Sequence, residues 1–277
     1  MNLLSFSSKV VYGHVGHSAA KLLLERLGHT VWAIDTVTFA HHPGHGPPAG
    51  RVTPPDEIRA LGDALEALGL LAGIGSVFTG YLGTAANGEA ALDWVGRVKS
   101  ANRDALFACD PVMGERTGGL YVAGDLPDFF ARRAIPLADV ALPNAFELER
   151  LCGLPVHDIG SAVLAADHLR ALGPRLVVVT GVELEHAIAT VVVASEGAWA
   201  VRTPRLSCRA HGTGDAFAAL FLGHLYAGKP APVALQAAVG GVYALIEATA
   251  GAVELSVIAA QDQAVRPSRT WRARRLR

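Results

Sequence analysis

Apolar and polar positions follow two periods along this 277-residue chain. Short apolar runs bounded by glycine, proline or polar residues read as strands, and apolar residues three and four apart read as helices. Residues 2–6 form a short apolar strand. A glycine-rich turn follows, then a helix from about Ser18 to Leu27, stopped by Gly28. Thr30 to Ile34 is a second strand. Ile58, Leu61, Leu65 and Leu68 recur at helical spacing and predict a helix over Asp56 to Leu68. Gly75 to Thr79 is a strand and Ala90 to Ser100 a helix. Leu106 to Cys109 is a strand ending at Asp110. Val140 to Pro143 is a strand with a helix after Asn144, and Ser161 to Leu172 is a helix. Residues 40–55 hold five prolines, three glycines and three histidines, which predicts an irregular loop crossing one face.

The pattern then changes. Arg175 to Thr180, Ala187 to Ala194 and Ala198 to Arg202 are three β-rich runs separated by turns, a local antiparallel section. Helices return at 215–227, 230–249 and 253–264. Alternating β and α units followed by such a section imply an α/β fold: a mainly parallel sheet, helices on both faces and an antiparallel edge. Ligands in such sheets bind beyond the C-terminal ends of the strands. No internal repeat or linker interrupts the pattern, so residues 1–265 read as one domain. Residues 266–277 are basic and lack helical apolar spacing, which predicts a solvated tail.

Composition narrows the choice of partners. With 51% hydrophobic residues the chain can bury a large core, and a formal net charge of -1 gives no reason to expect nucleic acid. Neither a signal peptide nor a membrane span is expected. Cys109, Cys152 and Cys208 are scattered and odd in number, so they read as small buried hydrophobes of a reducing compartment, the cytoplasm.

One stretch carries chemistry more plainly than the rest. In Ala210-His211-Gly212-Thr213-Gly214-Asp215-Ala216-Phe217 a glycine loop turns into an apolar helix. Backbone N–H groups at such a helix start form an anion site. A carboxylate there can take a proton from a hydroxyl that attacks a phosphoryl group. Thr213 or Asp215 could equally be an ordinary helix cap. No Walker A pattern, zinc spacing or nucleophile elbow occurs, and His41, His42 and His45 read as polar loop histidines. Asp110 ends a strand ahead of Pro111, as a ligand contact or as an Asp-Pro turn. Asn144 and Glu147 have capping-box spacing, and Glu147 could also orient magnesium-bound water. Ser8, Val37, Phe39 and Tyr81 fall in loops or strand ends that share one edge, where they could line a flat heterocycle.

Several segments, taken together, resemble one family. They are Val10-Val11-Tyr12-Gly13-His14-Val15-Gly16 with Ser18-Ala19-Ala20, Thr79-Gly80-Tyr81-Leu82-Gly83, Cys109-Asp110-Pro111-Val112-Met113-Gly114, Pro143-Asn144-Ala145-Phe146-Glu147-Leu148-Glu149 and Gly212-Thr213-Gly214-Asp215. Their order and spacing are similar to those of pyridoxal kinases, within the ribokinase-like fold, from about residue 2 to 265. The resemblance implies ATP-dependent phosphorylation of the 5′-hydroxyl of pyridoxal, pyridoxamine or pyridoxine. It implies Asp215 as the base, with Gly212, Thr213 and Gly214 over the transferring phosphate. Asp110 and Glu147 would act near magnesium and the ATP phosphates, with Asn144 beside them and Thr180 as a weaker phosphate contact. Ser8 would touch the pyridine ring, with Val37, Phe39, His42 and Tyr81 around it. The family is usually dimeric and uses magnesium and often potassium.

The chain also departs from the family. Histidine usually stands at Lys9 and asparagine at His17. Pro43 replaces an expected threonine, and Leu120 stands near where some bacterial members carry a cysteine. These positions lie on the substrate side, which keeps open a hydroxymethylpyrimidine or sugar kinase. Lys9 and Pro43 also keep open a non-catalytic pyridoxal phosphate-binding protein.

Overall fold

The computed structural model describes every residue except Ala123 and Cys208, so the expectation for Cys208 lies outside the described residues. The chain runs β1 (Asn2–Val10), α1 (His17–Arg26), β2 (Thr30–Phe39), β3 (Gly50–Val52), α2 (Pro55–Ala67), β4 (Ile74–Thr79), α3 (Ala85–Ala101), β5 (Leu106–Cys109), β6 (Gly114–Glu115) and β7 (Gly119–Leu120). It continues through α4 (Leu126–Phe129), β8 (Val140–Ala141), α5 (Ala145–Cys152), α6 (Ile159–Arg170), β9 (Leu176–Glu183), β10 (Ala187–Ala194), β11 (Gly197–Pro204), α7 (Thr213–Tyr226), α8 (Ala231–Thr249), α9 (Gln261–Val265) and β12 (Arg274–Arg275).

Ten strands form one sheet in the order β12-β11-β10-β9-β8-β5-β4-β1-β2-β3. The six from β9 to β2 in that order are parallel. β10, β11 and β12 add antiparallel at one edge, as the β-rich runs predict. β3 adds antiparallel to β2 at the other edge. Successive residues of the central strands serve opposite faces. Leu3, Val31, Phe78, Ala108 and Val178 pack with α1, α7, α8 and α9. Leu4, Phe6, Val77, Phe107 and Val177 pack with Ile58, Trp94, Leu126, Leu148 and Leu169 from α2 to α6. Both faces are therefore covered, which is why these strands read as apolar runs. α8 is apolar and long enough to cross a membrane by length and composition, yet half of it is buried, chiefly against α7 and α9.

Four expectations are corrected. β1 and β2 extend to Val10 and Phe39, because the polar residues Ser7, Ser8, Asp35 and Thr36 stay in or beside the ladder around a bulge between Ser7 and Ser8. Residues 40–55 are not wholly irregular: Pro43–His45 make a 3-10 turn and Gly50–Val52 an edge strand. The helix expected over 253–264 shrinks to Gln261–Val265. The tail is not solvated throughout. β12 pairs with β11, the Trp271 ring lies 4.4 Å from the Tyr243 ring, and Arg277 reaches Asp167 at 2.6 Å. The two-residue strands of the β6–β7 hairpin are too short to show a period, whereas the helical turns from Leu126 to Leu137 went unread although Leu126, Phe129, Phe130 and Ala134 keep helical spacing.

Candidate active site

The parallel sheet brings the ends of β1, β2, β4, β5, β8 and β9 to one edge, and the start of α7 faces them. Gly212 caps α7 with φ 94°, and no side chain caps the helix. Neither Thr213 nor Asp215 is therefore the N-cap. A Cβ at position 212 would overlap the His14 carbonyl oxygen, so the loop needs glycine. The first N–H groups of the helix remain available to an anion.

Asp215 is the third residue of α7 and is half-buried. Burial raises its pKa above the ordinary carboxylate value. The Gly16 N–H donated to its carboxylate and the nearby His17 oppose that rise.

Two further carboxylates lie close by. Asp110 follows β5 and is buried, with its N–H donated to the Thr79 carbonyl at 2.8 Å. Glu147 is buried on the first turn of α5 inside a complete capping box. It accepts from the N–H groups of Asn144 at 2.8 Å and Met113 at 3.0 Å, while Asn144 Oδ1 accepts from the Glu147 N–H at 2.9 Å. Asn144 Nδ2 also donates to the Gly114 carbonyl at 2.8 Å, which ties the β6–β7 hairpin to α5. Thr180 pairs beside Asn144 and donates its N–H to the Pro143 carbonyl at 3.1 Å.

Burial pushes the Asp110 pKa well above the ordinary value, and the like charges of Glu147 and Asp215 add to it. Burial outweighs the backbone donors at Glu147 and lifts its pKa to about 7. Two buried acids that repel each other are donors that could hold a divalent cation. Among the described residues no three His, Cys, Asp or Glu side chains converge as a metal cage. Tyr121, after β7, faces the same acids: burial and then the charges of Glu147, Asp215 and Asp110 push its hydroxyl pKa up.

The substrate-side candidates lie on β1, on β2, in the turn after β2 and after β4. Ser8 and Val37 are buried, and Val37 is fully so, which makes it wall packing. Tyr81 and Phe39 are half-buried, with Tyr81 held by the Thr36 hydroxyl donated to its carbonyl at 2.6 Å. His42 caps the 43–45 turn, its Nδ1 accepting from the Gly44 N–H at 3.0 Å. Pro43 sits at the first position of that turn, where its fixed φ and missing N–H are tolerated.

Lys9 and His17, both departures from the family pattern, meet one carboxylate, Asp35. Leu120 is exposed at the end of β7. Sequence reasoning missed Gly16, Asp35, Tyr121, His211 and Glu254. Gly16 and His211 lay inside the singled-out segments without a role of their own, and nothing local marked Asp35, Tyr121 or Glu254.

The comparisons agree with this geometry. A family model described as phosphomethylpyrimidine kinase matches residues 54–257. A pyridoxal kinase PdxY from Rubrobacter xylanophilus is 43% identical, covering 100% of this chain and 98% of its own. One from Corynebacterium diphtheriae is 39% identical, covering 96% of each. The pyridoxal kinase of Leishmania donovani, solved with ADP and pyridoxamine, superposes with TM-score 0.93 at 28% identity, over 100% of this chain and 99% of that one. The same kinase solved with ADP and pyridoxine gives the same values. The chain belongs to the pyridoxal kinases, α/β proteins of the ribokinase-like superfamily.

Proposed function

We propose that this chain transfers the γ-phosphoryl group of ATP to the 5′-hydroxyl of pyridoxal, pyridoxamine or pyridoxine, and that residues 1–265 act as one kinase domain. The observation that carries the reading is Asp215 beside the uncapped start of α7, with Asp110 and Glu147 nearby. Asp215 accepts the proton of the 5′-hydroxyl as its oxygen bonds to the γ-phosphorus. The bond to the ADP oxygen breaks, and ADP leaves with that electron pair. The N–H groups of Gly212, Thr213 and Gly214 stabilise the charge on the transferring oxygens. Asn144 and Thr180 flank the nucleotide phosphates. Ser8, Phe39, His42 and Tyr81 hold the pyridine ring on a wall completed by Val37. Asp110 and Glu147 would hold magnesium, which neutralises phosphate charge when bound. Most of the rate enhancement comes from positioning and charge neutralisation.

One observation favours a second reading: the family model that matches 54–257 is described by phosphomethylpyrimidine. A coupled assay of ADP release with each B6 vitamer and with hydroxymethylpyrimidine separates the two. Turnover that depends on a vitamer supports the first reading. Turnover with the pyrimidine alone replaces it, and ATP turnover with neither rejects both. A homodimer working in the cytoplasm is proposed on family grounds, and sedimentation velocity tests the dimer.

A further inference from the structure

Four histidines gather beside the phosphate nest, although three of them read from sequence as ordinary loop residues. His42 and His211 stack with ring centroids 3.9 Å apart and planes at 26°. His45 meets His211 edge-on at 6.0 Å and His41 at 5.9 Å. His45 Nε2 lies 2.6 Å from Glu254 Oε1, and the His14 N–H is donated to Glu254 Oε2 at 3.3 Å. A Cβ at Gly44 would overlap His211 Nε2, so the 43–45 turn lies directly on that ring. His211 immediately precedes Gly212, the cap of the nest.

We propose that His211 is a positioning residue for the B6 substrate: by stacking on His42 it locks the 43–45 turn and fixes the ring edge that His42 presents. The inference rests on the kinase reading above, because that reading puts His42 against the pyridine ring. Glu254 holds the other end of the turn through His45. Burial and the neighbouring His211, His45 and His41 depress the His42 pKa to about 4. The His42 ring is therefore neutral at pH 7, and two like charges do not oppose the stack. His41, also half-buried, bonds back to the His42 carbonyl through Nδ1 at 3.0 Å and makes no stack with His211. The Gly44 N–H fixes one edge of the His42 ring, and His211 supplies the contact on its face.

The test compares His211→Ala and His211→Phe with the parent protein. Steady-state kinetics are measured against pyridoxal and ATP separately, and pyridoxal affinity is measured by calorimetry. Removing the ring raises KM and Kd for pyridoxal roughly three- to tenfold, the range of a lost ring pair, with KM for ATP and kcat within about threefold. A phenyl ring restores the stack without a titrating group and brings both constants back to within about twofold. Unchanged pyridoxal constants in the alanine variant overturn the proposal. So does an equal rise in both KM values, or no recovery with phenylalanine in a protein whose melting temperature matches the parent. The calorimetric arm separates the two claims. A parent that binds pyridoxal without turnover defeats the kinase reading, and the ratio of Kd values still decides the role of His211. A parent that binds no vitamer overturns both.

Discussion

His17, the first residue of α1, donates Nδ1–H to Asp35 Oδ1 of β2 at 2.7 Å, and Lys9 approaches the other oxygen of that carboxylate at 3.8 Å. His17 Nε2 lies 2.9 Å from the Ser5 hydroxyl, so both ring nitrogens are used. The two positions that depart from the family pattern on β1 and α1 are therefore coupled through one carboxylate. Asp35→Ala leaves the buried imidazole without its acceptor and lowers unfolding stability by about 1–3 kcal/mol. Lys9 is more than half exposed, so Lys9→Ala costs roughly 0–1 kcal/mol. Urea denaturation measures both. Equal effects would mean that Asp35 serves Lys9 and not His17.

Asp215→Asn keeps the shape of the site and removes the proton acceptor. The catalytic rate falls by roughly two to four orders of magnitude, the range for general-base catalysis, while KM for ATP changes little. Burial raises the Asp215 pKa, and a base must be ionised to act. In the parent kcat/KM therefore declines as pH falls, through a limb above the ordinary aspartate range. A limb at or below that range, or an asparagine variant with most of its activity, removes Asp215 from the role.

The phosphate side was legible in the sequence because backbone geometry writes it there. Gly212 is required by a positive φ and a close carbonyl, and the Asn144/Glu147 spacing specifies its own capping box. The alternating faces of β4, β5 and β9 were likewise visible as apolar runs. The histidine cluster was not legible. His42 and His211 are 169 positions apart, and nothing local marks a stack formed by tertiary packing. The extensions of β1 and β2 were hidden for the opposite reason. Their polar residues break the apolar period, yet Ser7, Ser8 and Thr36 are buried and not turned to solvent.

Glu147 links protonation to stability, and in the proposed reading it links metal binding to stability as well. Its pKa stands near 7 in the fold against 4.5 when free, so between those values the folded state keeps a proton that the unfolded chain has lost. Its stabilising contribution is present below pH 4.5 and is lost as pH rises to about 7. A divalent cation held there, as proposed, would take the place of that proton. Magnesium chloride therefore raises the melting temperature more at pH 8 than at pH 5, and Glu147→Gln weakens that difference and raises the magnesium needed for half-maximal activity. Differential scanning fluorimetry checks the first outcome and a magnesium titration of rate the second. Equal shifts at both pH values would place the cation elsewhere.

The C-terminal segment closes the sheet at β11. Trp199 and Ala200 pair with Arg275 and Arg274, the Arg275 guanidinium lies 5.8 Å from the centre of the Trp199 ring, and Trp271 packs on Tyr243 of α8. Basic residues are suited to such an edge, because charge discourages pairing with another chain. Deleting residues 266–277 would leave the ladder groups of β11 unpaired and uncover Tyr243. The truncated chain melts lower and self-associates more readily than the parent, as fluorimetry and light scattering measure. Trp271→Ala isolates the packing contribution: it costs about 1–2 kcal/mol for the partly buried ring but leaves the β11–β12 pairing in place, so it lowers melting without self-association. A deletion that changes neither property would restore the solvated tail that the composition alone suggests.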